Sequence, residues 1–416
     1  MPSVSRAARA PALAPFRVRS FRFQWPADLA TSLAFEMETL ILGWFVLTAT
    51  GSVESLVAFG ALVWLGSLFS PFFGVAGDRV GHRTLLCATR LMYVLLATVL
   101  TALTLSNALR PWHVFTIAGI AGLLRQSDNV MRHALVGQTM RPEMLLGALG
   151  ISRTTANVAR VAGALAGTSG VALVGMGPAY VVVTALYITA FLLSLGVASS
   201  PPRARPDAHP IADLKQAFAY VWRKPDLLGA FSMAFLVNLL AYPFVLGLLP
   251  YVARNVYAVG QSGLGYLAAA FATGALAGSL LVGANWLPLR AARAMLVGGA
   301  TWFAAILVFG QTATLPAGLP LLFLAGFVES VCLTPLAAVM LRSADDGMLG
   351  RVMGMRMLAV WGLPLGLLAA GPIIEHLGYP ATTLLYGTLG LAATFAIGYR
   401  WRGALWHRSA TANARI

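Results

Sequence analysis

Four carboxylates stand inside long apolar stretches of the chain: Glu36, Glu38, Asp128 and Glu329. An acid held away from water resists ionisation, so its affinity for a proton rises toward neutral pH and it can load and release protons. Glu36 continues a polar face with Asp28, Ser32, Thr39 and Gly43 at helical spacings of three and four. Glu38 points some 200° away on the same helix. The polar face favours Glu36 as the acid that looks into a cavity, with Glu38 kept as a second candidate. Asp128 has Arg125 three residues before it and Arg132 four after, which fits either a neutralised network along one helix or a proton-transfer site. Glu329 lies near Gly326 and Ser330 with no charged neighbour on its own stretch, so nothing local opposes its protonation.

The remaining polar candidates are basic or amide. Arg153, Asn157 and Arg160 share one helical face, and Arg356 repeats Arg153 in the second half. They can pair with the acids or bind an anionic substrate. Asn238 and Tyr242, with Phe231 and Phe235 nearby, can line an apolar pocket. The sequence holds no HExxH, GxSxG or phosphate-cradling Walker A pattern and no His/Cys cluster, so neither metal catalysis nor ATP hydrolysis has a visible site. No metal, cofactor or enzyme activity is expected. Cys87 and Cys332 fall in separate helices and read as packing residues.

The elements that must position these groups follow from composition. Of the 416 residues 58% are hydrophobic and only 10% charged, with repeated apolar runs of about twenty residues, the length a helix needs to cross a bilayer. Backbone groups in lipid must bond internally, so such runs are helices. Twelve are expected: 27–48, 54–76, 84–106, 111–132, 147–174, 178–199, 227–252, 261–286, 294–312, 316–342, 352–374 and 379–400. The class is an all-α membrane protein. Basic residues collect in alternate connections and both tails, which places both termini in the cytosol. Only Arg110 and Arg254 then fall outside, and Arg125, Arg153, Arg160 and Arg356 within helices. The net charge of +15 thus records topology and attraction to the inner leaflet rather than nucleic-acid binding. The abundance of Arg over Lys, with much Ala and Gly, suggests a bacterial inner membrane, and the basic first segment reads as a tail rather than a targeting peptide.

The strongest break is 200–226, a Pro-rich linker followed by a segment that gathers Ile211, Leu214, Phe218, Val221 and Trp222 near one face, with Lys215, Arg223 and Lys224 available to lipid phosphates. The expected organisation is a basic tail (1–26), a six-helix bundle (27–199), a linker with an interfacial helix (200–226), a second six-helix bundle (227–400) and a tail (401–416). A shift of 203 residues aligns Arg153 with Arg356, Gly163 with Gly366 and Ala166 with Ala369, a faint internal repeat. Two six-helix bundles about an axis along the membrane normal form a transporter plan with substrate bound between them. GALAG occurs twice, at Gly163–Gly167 and Gly274–Gly278. Small residues four apart let helices approach closely, either within a bundle or across the interface where bundles rock; the expectation carried forward is the interface.

The decapeptide GVAGDRVGHR, residues 74–83, supplies Gly74, Gly77, Asp78, Arg79, Gly81, His82 and Arg83 between two apolar runs. It resembles the loop signature of the major facilitator superfamily, where such a segment gates one end of the transporter. The segments FRFQWPADLATSL, SRTTANVARVAGALAG and LPYVARNVYAVGQSGLGYLAAAFATGALAG are similar to the exporter branch of that family that includes enterobactin and macrolide efflux proteins. That resemblance puts Glu38 at a position that is often polar. It implies a monomeric secondary transporter that exports a small amphipathic molecule (a drug, siderophore or metabolite) by alternating access, coupled to proton antiport. A lysophospholipid transporter of the same fold is the alternative. Two departures stand out: helix 5 has Gly163-Ala164 where the antiporter pattern has Gly-Pro, and the counterpart loop at 286–293 keeps only Arg290 and Arg293.

Overall fold

The computed structural model describes residues 13–198, 210–284, 290–345 and 348–406; the ends of both expected tails, the Pro-rich part of the linker and the first half of the 286–293 loop lie outside them. Among the described residues every regular element is helical. Helix α1 (Arg19–Thr50) begins at Arg19 rather than near residue 27, its first turns held by buried Ser20, Phe21 and Gln24. It ends at Gly51, whose left-handed φ of 68° returns its N–H to the Leu47 carbonyl. Helices α2 (Val53–Val63) and α3 (Ser70–Val80) form one span bent by 51°. Then come α4 (His82–Leu105), α5 (Pro111–Thr139), α6 (Pro142–Val174) and α7 (Met176–Ser194). After α8 (Pro210–Arg223), the seventh span is broken into α9 (Pro225–Leu240), α10 (Tyr242–Leu246) and α11 (Leu249–Tyr251). The chain closes with α12 (Gln261–Gly283), α13 (Ala291–Phe309), α14 (Leu315–Ser343), α15 (Leu349–Leu358), α16 (Gly362–Leu377), α17 (Tyr379–Arg400) and the short α18 (Arg402–Trp406).

Among the described residues, α1, α4, α6, α7, α12, α13, α14 and α17 are long and apolar enough to cross a membrane, as is the run Val352–Leu377 that joins α15 and α16, and the bent pair α2–α3 taken as one makes ten. The other two spans are the charged α5, which carries Arg125, Asp128 and Arg132, and the broken α9–α11. The result is twelve spans in two six-helix bundles, an even number that leaves the start of α1 and the end of α17 on one side. Each bundle has its own apolar core. Ile41, Val46, Leu100, Val114, Tyr180 and Val183 are buried in the first; Leu227, Phe244, Phe271, Trp302, Phe309 and Leu363 are buried in the second.

Close helix contacts repeat between the halves. In the first bundle Gly163 of α6 seats on α1, where an added Cβ would stand 2.8 Å from that of Glu36; in the second Gly366 of α16 seats on the Leu239 carbonyl of α9. Likewise Gly122 of α5 meets the Leu62 carbonyl, and Gly326 of α14 meets that of Phe271. The two GALAG blocks follow this internal pattern, which corrects their expected place at the bundle interface. Gly163 and Gly167 pack on α1, the latter against Met37; Gly274 and Gly278 pack on the Phe323 and Phe327 carbonyls of α14. Small residues at a four-residue spacing specify close approach but not which neighbour approaches. The bundles do meet along α6 and α12, through other residues: Gly265 against Thr168 and the Ala164 carbonyl, and Asn157 donating to Ser279 at 3.4 Å.

The linker helix α8 also differs in detail. Ala217 and Val221 are buried against the second bundle, whereas Phe218 and Trp222 are exposed and stack at 5.4 Å. Val221 therefore leaves the apolar group expected for lipid. Just beyond α8, Lys224 bonds Asp345 at 2.8 Å and the Ser343 carbonyl at 3.1 Å, tying the linker to the end of α14.

Candidate functional site

A cavity of about 190 Å³ lies at mid-depth between the bundles. The first bundle contributes Phe35, Glu36, Trp64, Arg125 and Arg160; the second contributes Asn238, Tyr242 and Arg356. Toward the end that carries the chain termini it adjoins a chamber of about 770 Å³, walled by Asp28, Ser32, Asn157, Arg153 and Glu329 among others. Arg160 and Arg356 belong to both walls. Exposed His133, Arg153 and Ala156 mark the chamber's rim. In the opposite direction lies a narrow apolar gap of about 20 Å³. There Arg254 donates to the Leu47 carbonyl at 2.5 Å, Pro250 stands over Gly43 and Leu367 over Gly60. The path is thus closed at the end remote from the termini and widens toward the terminal end.

The four acids occupy three kinds of place. Glu36 lines the central cavity, and its carboxylate stands 3.9 Å from the Arg160 guanidinium. Glu38 turns into the first bundle, is buried and accepts the Tyr187 hydroxyl at 2.7 Å, so the helix period separates the pair as expected. Glu329 is buried at the chamber wall, accepts the Tyr242 hydroxyl at 2.6 Å and is touched by Ser330 at 3.4 Å. Asp128 is locked in a buried network. Its side chain pairs with Arg132 one turn on and with Arg90 of α4 at 3.1 Å. Arg90 in turn bonds Asp28 and, at 2.6 Å, Ser194 of α7.

Two assignments change here. Arg125 is not a partner of Asp128; its guanidinium lies over the Phe35 ring, 3.3 Å from the centroid, with Trp64 at 4.2 Å. The third residue of the Asp128 network is Arg90, which the charge pattern placed among the loop arginines. It is 1% exposed. Its position two turns inside the apolar run from 84 to 106 was the available signal, since an arginine that deep must find carboxylates.

Among the other candidates, Arg153 and Arg356, the repeat pair, both face the larger chamber. Asn157 lines it while bonding Ser279 across the bundles. Asn238 borders the smaller cavity and donates to the Ala234 carbonyl of its own helix at 2.8 Å. Phe231 and Phe235 pack against the second core and do not border either cavity.

The decapeptide forms the tip of α3 and the turn into α4, beside α15 and α8 of the far half. Gly81 has φ 98°, a backbone that favours glycine, and Gly77 leaves room for the Met131 side chain. Asp78 pairs with His82 at 3.5 Å. Arg83 donates to the Leu195 carbonyl at the end of α7, where a cation complements the helix dipole. Arg79 is exposed, and Gly74 has open space around its Cα.

Residues 25–364 match the family described as Major Facilitator Superfamily. Compared with curated proteins, the sequence matches none. Among solved structures, a POT family transporter in complex with 5-aminolevulinic acid aligns with TM-score 0.75 at 12% identity, over 93% of this chain and 96% of its own. The nucleoside transporter NupG gives 0.71 at 12%, over 92% and 99%. The human organic anion transporter MFSD10 (TETRAN) gives 0.65 at 18%, over 92% and 100%. These likenesses are of fold, and the family match covers most of the chain. The protein is a multi-pass membrane transporter, not an enzyme, and it belongs to the Major Facilitator Superfamily.

Proposed function

We propose that this protein exports a small amphipathic molecule from the cytosol by alternating access, with proton antiport as the driving step. The observation that carries the reading is the pair of mid-depth carboxylates from the two bundles, Glu36 at the central cavity and Glu329 at the chamber it adjoins, along a path closed at one end and widening at the other. Basic residues at the terminal end support a cytosolic location for both termini and for the wide chamber. In that orientation the arrangement is inward-facing, ready to take substrate from the cell interior. A carboxylate at this depth can be loaded and unloaded with protons as access alternates. The bilayer of a bacterial inner membrane supplies the gradient, and the chain works as a monomer.

The test is transport of dyes, antibiotics and siderophores into inverted vesicles, with and without an uncoupler. Accumulation that collapses with the uncoupler supports proton-driven export. Glu36→Gln or Glu329→Gln, whichever carries the proton, should abolish accumulation but keep substrate exchange at equal pH, because exchange needs the motion without net proton movement. Accumulation by both variants as by the parent protein would remove proton coupling through these residues. Movement of lysophospholipid between leaflets, with no aqueous transport, would favour the lipid transporter instead.

A further inference from the structure

Arg125 is held in an unusual way for a guanidinium at membrane depth. Its flat face lies on Phe35, 3.3 Å from the ring centroid, with Trp64 at 4.2 Å. Aromatic faces hold a guanidinium through its charge but take none of its N–H donors. Arg125 lines the central cavity, and the stacking leaves its N–H donors without an aromatic partner. Its Nη1 is buried and has no hydrogen-bond partner among the described residues, a costly condition for a charged donor.

The surrounding charge agrees. Asp28, Asp128, Arg90 and Arg132 balance one another in their own network. What remains around the two connected spaces is four arginines, Arg125, Arg153, Arg160 and Arg356, facing two carboxylates, Glu36 and Glu329. Of those acids, Glu36 stands by Arg160 and Glu329 holds the Tyr242 hydroxyl. The site carries excess positive charge in a place where charge is expensive.

Resting on the transporter reading above, we infer that the substrate is an organic anion, an aromatic or otherwise apolar body bearing one carboxylate, sulfonate or phosphate, with the acid group bonded to the free edge of Arg125. The apolar part of the cavity wall, Leu246, Leu333, Val360 and Leu363, receives the body. Arg356 and Arg160 contribute attraction without stacked support, so Arg125 sets the preference. The rigid, aromatic-backed edge suits the planar two-point recognition of an acid group, which a lysine does not reproduce. An anion leaving a cell that is negative inside also moves with the membrane potential, in the direction proposed for transport.

The experiment is calorimetric titration of the purified full-length protein in nanodiscs with three probes of one shape: naphthalenesulfonate, uncharged naphthalenemethanol and cationic naphthylmethylammonium. The sulfonate is expected to bind at least about tenfold more tightly than the other two, the difference one charge-assisted contact supplies. Arg125→Gln and Arg125→Lys should each cut that preference about tenfold. If either variant fails to fold, the ranking of the three probes on the unaltered protein still decides. Equal binding of all three probes, or variants that keep the sulfonate preference, overturns the anion site. Transport is read separately, in proteoliposomes under imposed pH and voltage gradients. Sulfonate binding lost in the Arg125 variants, with no anion moved by the unaltered protein, keeps the site and removes the transporter reading. Movement of the cationic or neutral probe without sulfonate preference does the reverse.

Discussion

Glu36 of α1 and Arg160 of α6 face each other at 3.9 Å, close enough to attract but beyond hydrogen-bond distance. Both side chains are partly open to the cavity, so the pair is held by weak attraction and leaves each partner available to a third group. The coupling between them should fall below about 1 kcal/mol, as for other partly solvated pairs. Melting of Glu36→Gln, Arg160→Gln and the double variant should be additive to within about 0.5 kcal/mol, while transport suffers in all three. A large non-additive term in stability would make the pair a structural tie instead.

The buried network around Asp128 should behave in the opposite way. Replacing Arg90 with Met leaves Asp28 and Asp128 with Arg132 alone, an uncompensated negative charge of the kind that costs about 3–5 kcal/mol. Thermal unfolding of the detergent-purified protein should show this as a sharp loss. Adding Asp128→Asn to Arg90→Met restores the charge balance and should recover part of it. A double variant less stable than the Arg90 variant would mean that neutrality is not what the network supplies.

Gly274 lies against the Phe323 carbonyl of α14 with no space for a Cβ. Alanine there must push α14 and with it Glu329, and overpacking of this sort costs about 1–3 kcal/mol. Gly283, near the end of the same helix, has open space and should accept alanine with no change in melting temperature. Equal losses at the two positions would point to a general intolerance of α12 rather than to packing on α14.

Lys224 and Asp345 lie outside the membrane spans. The hydrogen bond to Asp345 raises the Lys224 ammonium above its ordinary range, and the same bond holds the Asp345 carboxyl below the usual carboxylate range. A depressed carboxyl contributes stability that is present above its unfolded pKa and lost as pH falls through the folded one. A raised ammonium contributes below its unfolded pKa and is lost as pH rises through the folded one. Tethering of α8 to α14 should therefore be flat across neutral pH and weaken only in strong acid or base. Protease sensitivity of the linker reads this, and Asp345→Asn should raise it at neutral pH.

Asp78 bonds no residue of the second bundle among the described contacts, while α3 runs beside α15. If its role is to close the terminal end when the opposite end opens, Asp78→Asn should leave folding intact, reduce transport and raise cysteine accessibility at the terminal mouth. Normal transport with unchanged accessibility would reduce the segment to a turn and a topology marker.

The sequence made the spans and their facing legible where one physical rule dominated. Apolar length located most of the crossings, though the charged α5 and the broken α9–α11 are not apolar and long enough on their own, and the helix period separated Glu36 from Glu38. Other relations depended on more than one helix. The three-residue spacing of Arg125 and Asp128 placed them near each other along α5 but could not show that the guanidinium would lie on Phe35 and Trp64. The GALAG blocks announced close contact without naming the partner helix. Arg90 was hidden by its nearness to a basic loop, which charge counting assigns to the surface.

Tyr242 stands where the seventh span breaks, at the first residue of α10, and its hydroxyl donates a hydrogen bond to Glu329. A phenol can donate or accept, so the contact is not tied to one direction. The same short run of chain leads through α11 to Arg254 and its hold on Leu47. The break puts the hydrogen-bond partner of the acid and the closed end on one short run of chain, so a substitution at Tyr242 is expected to register at both.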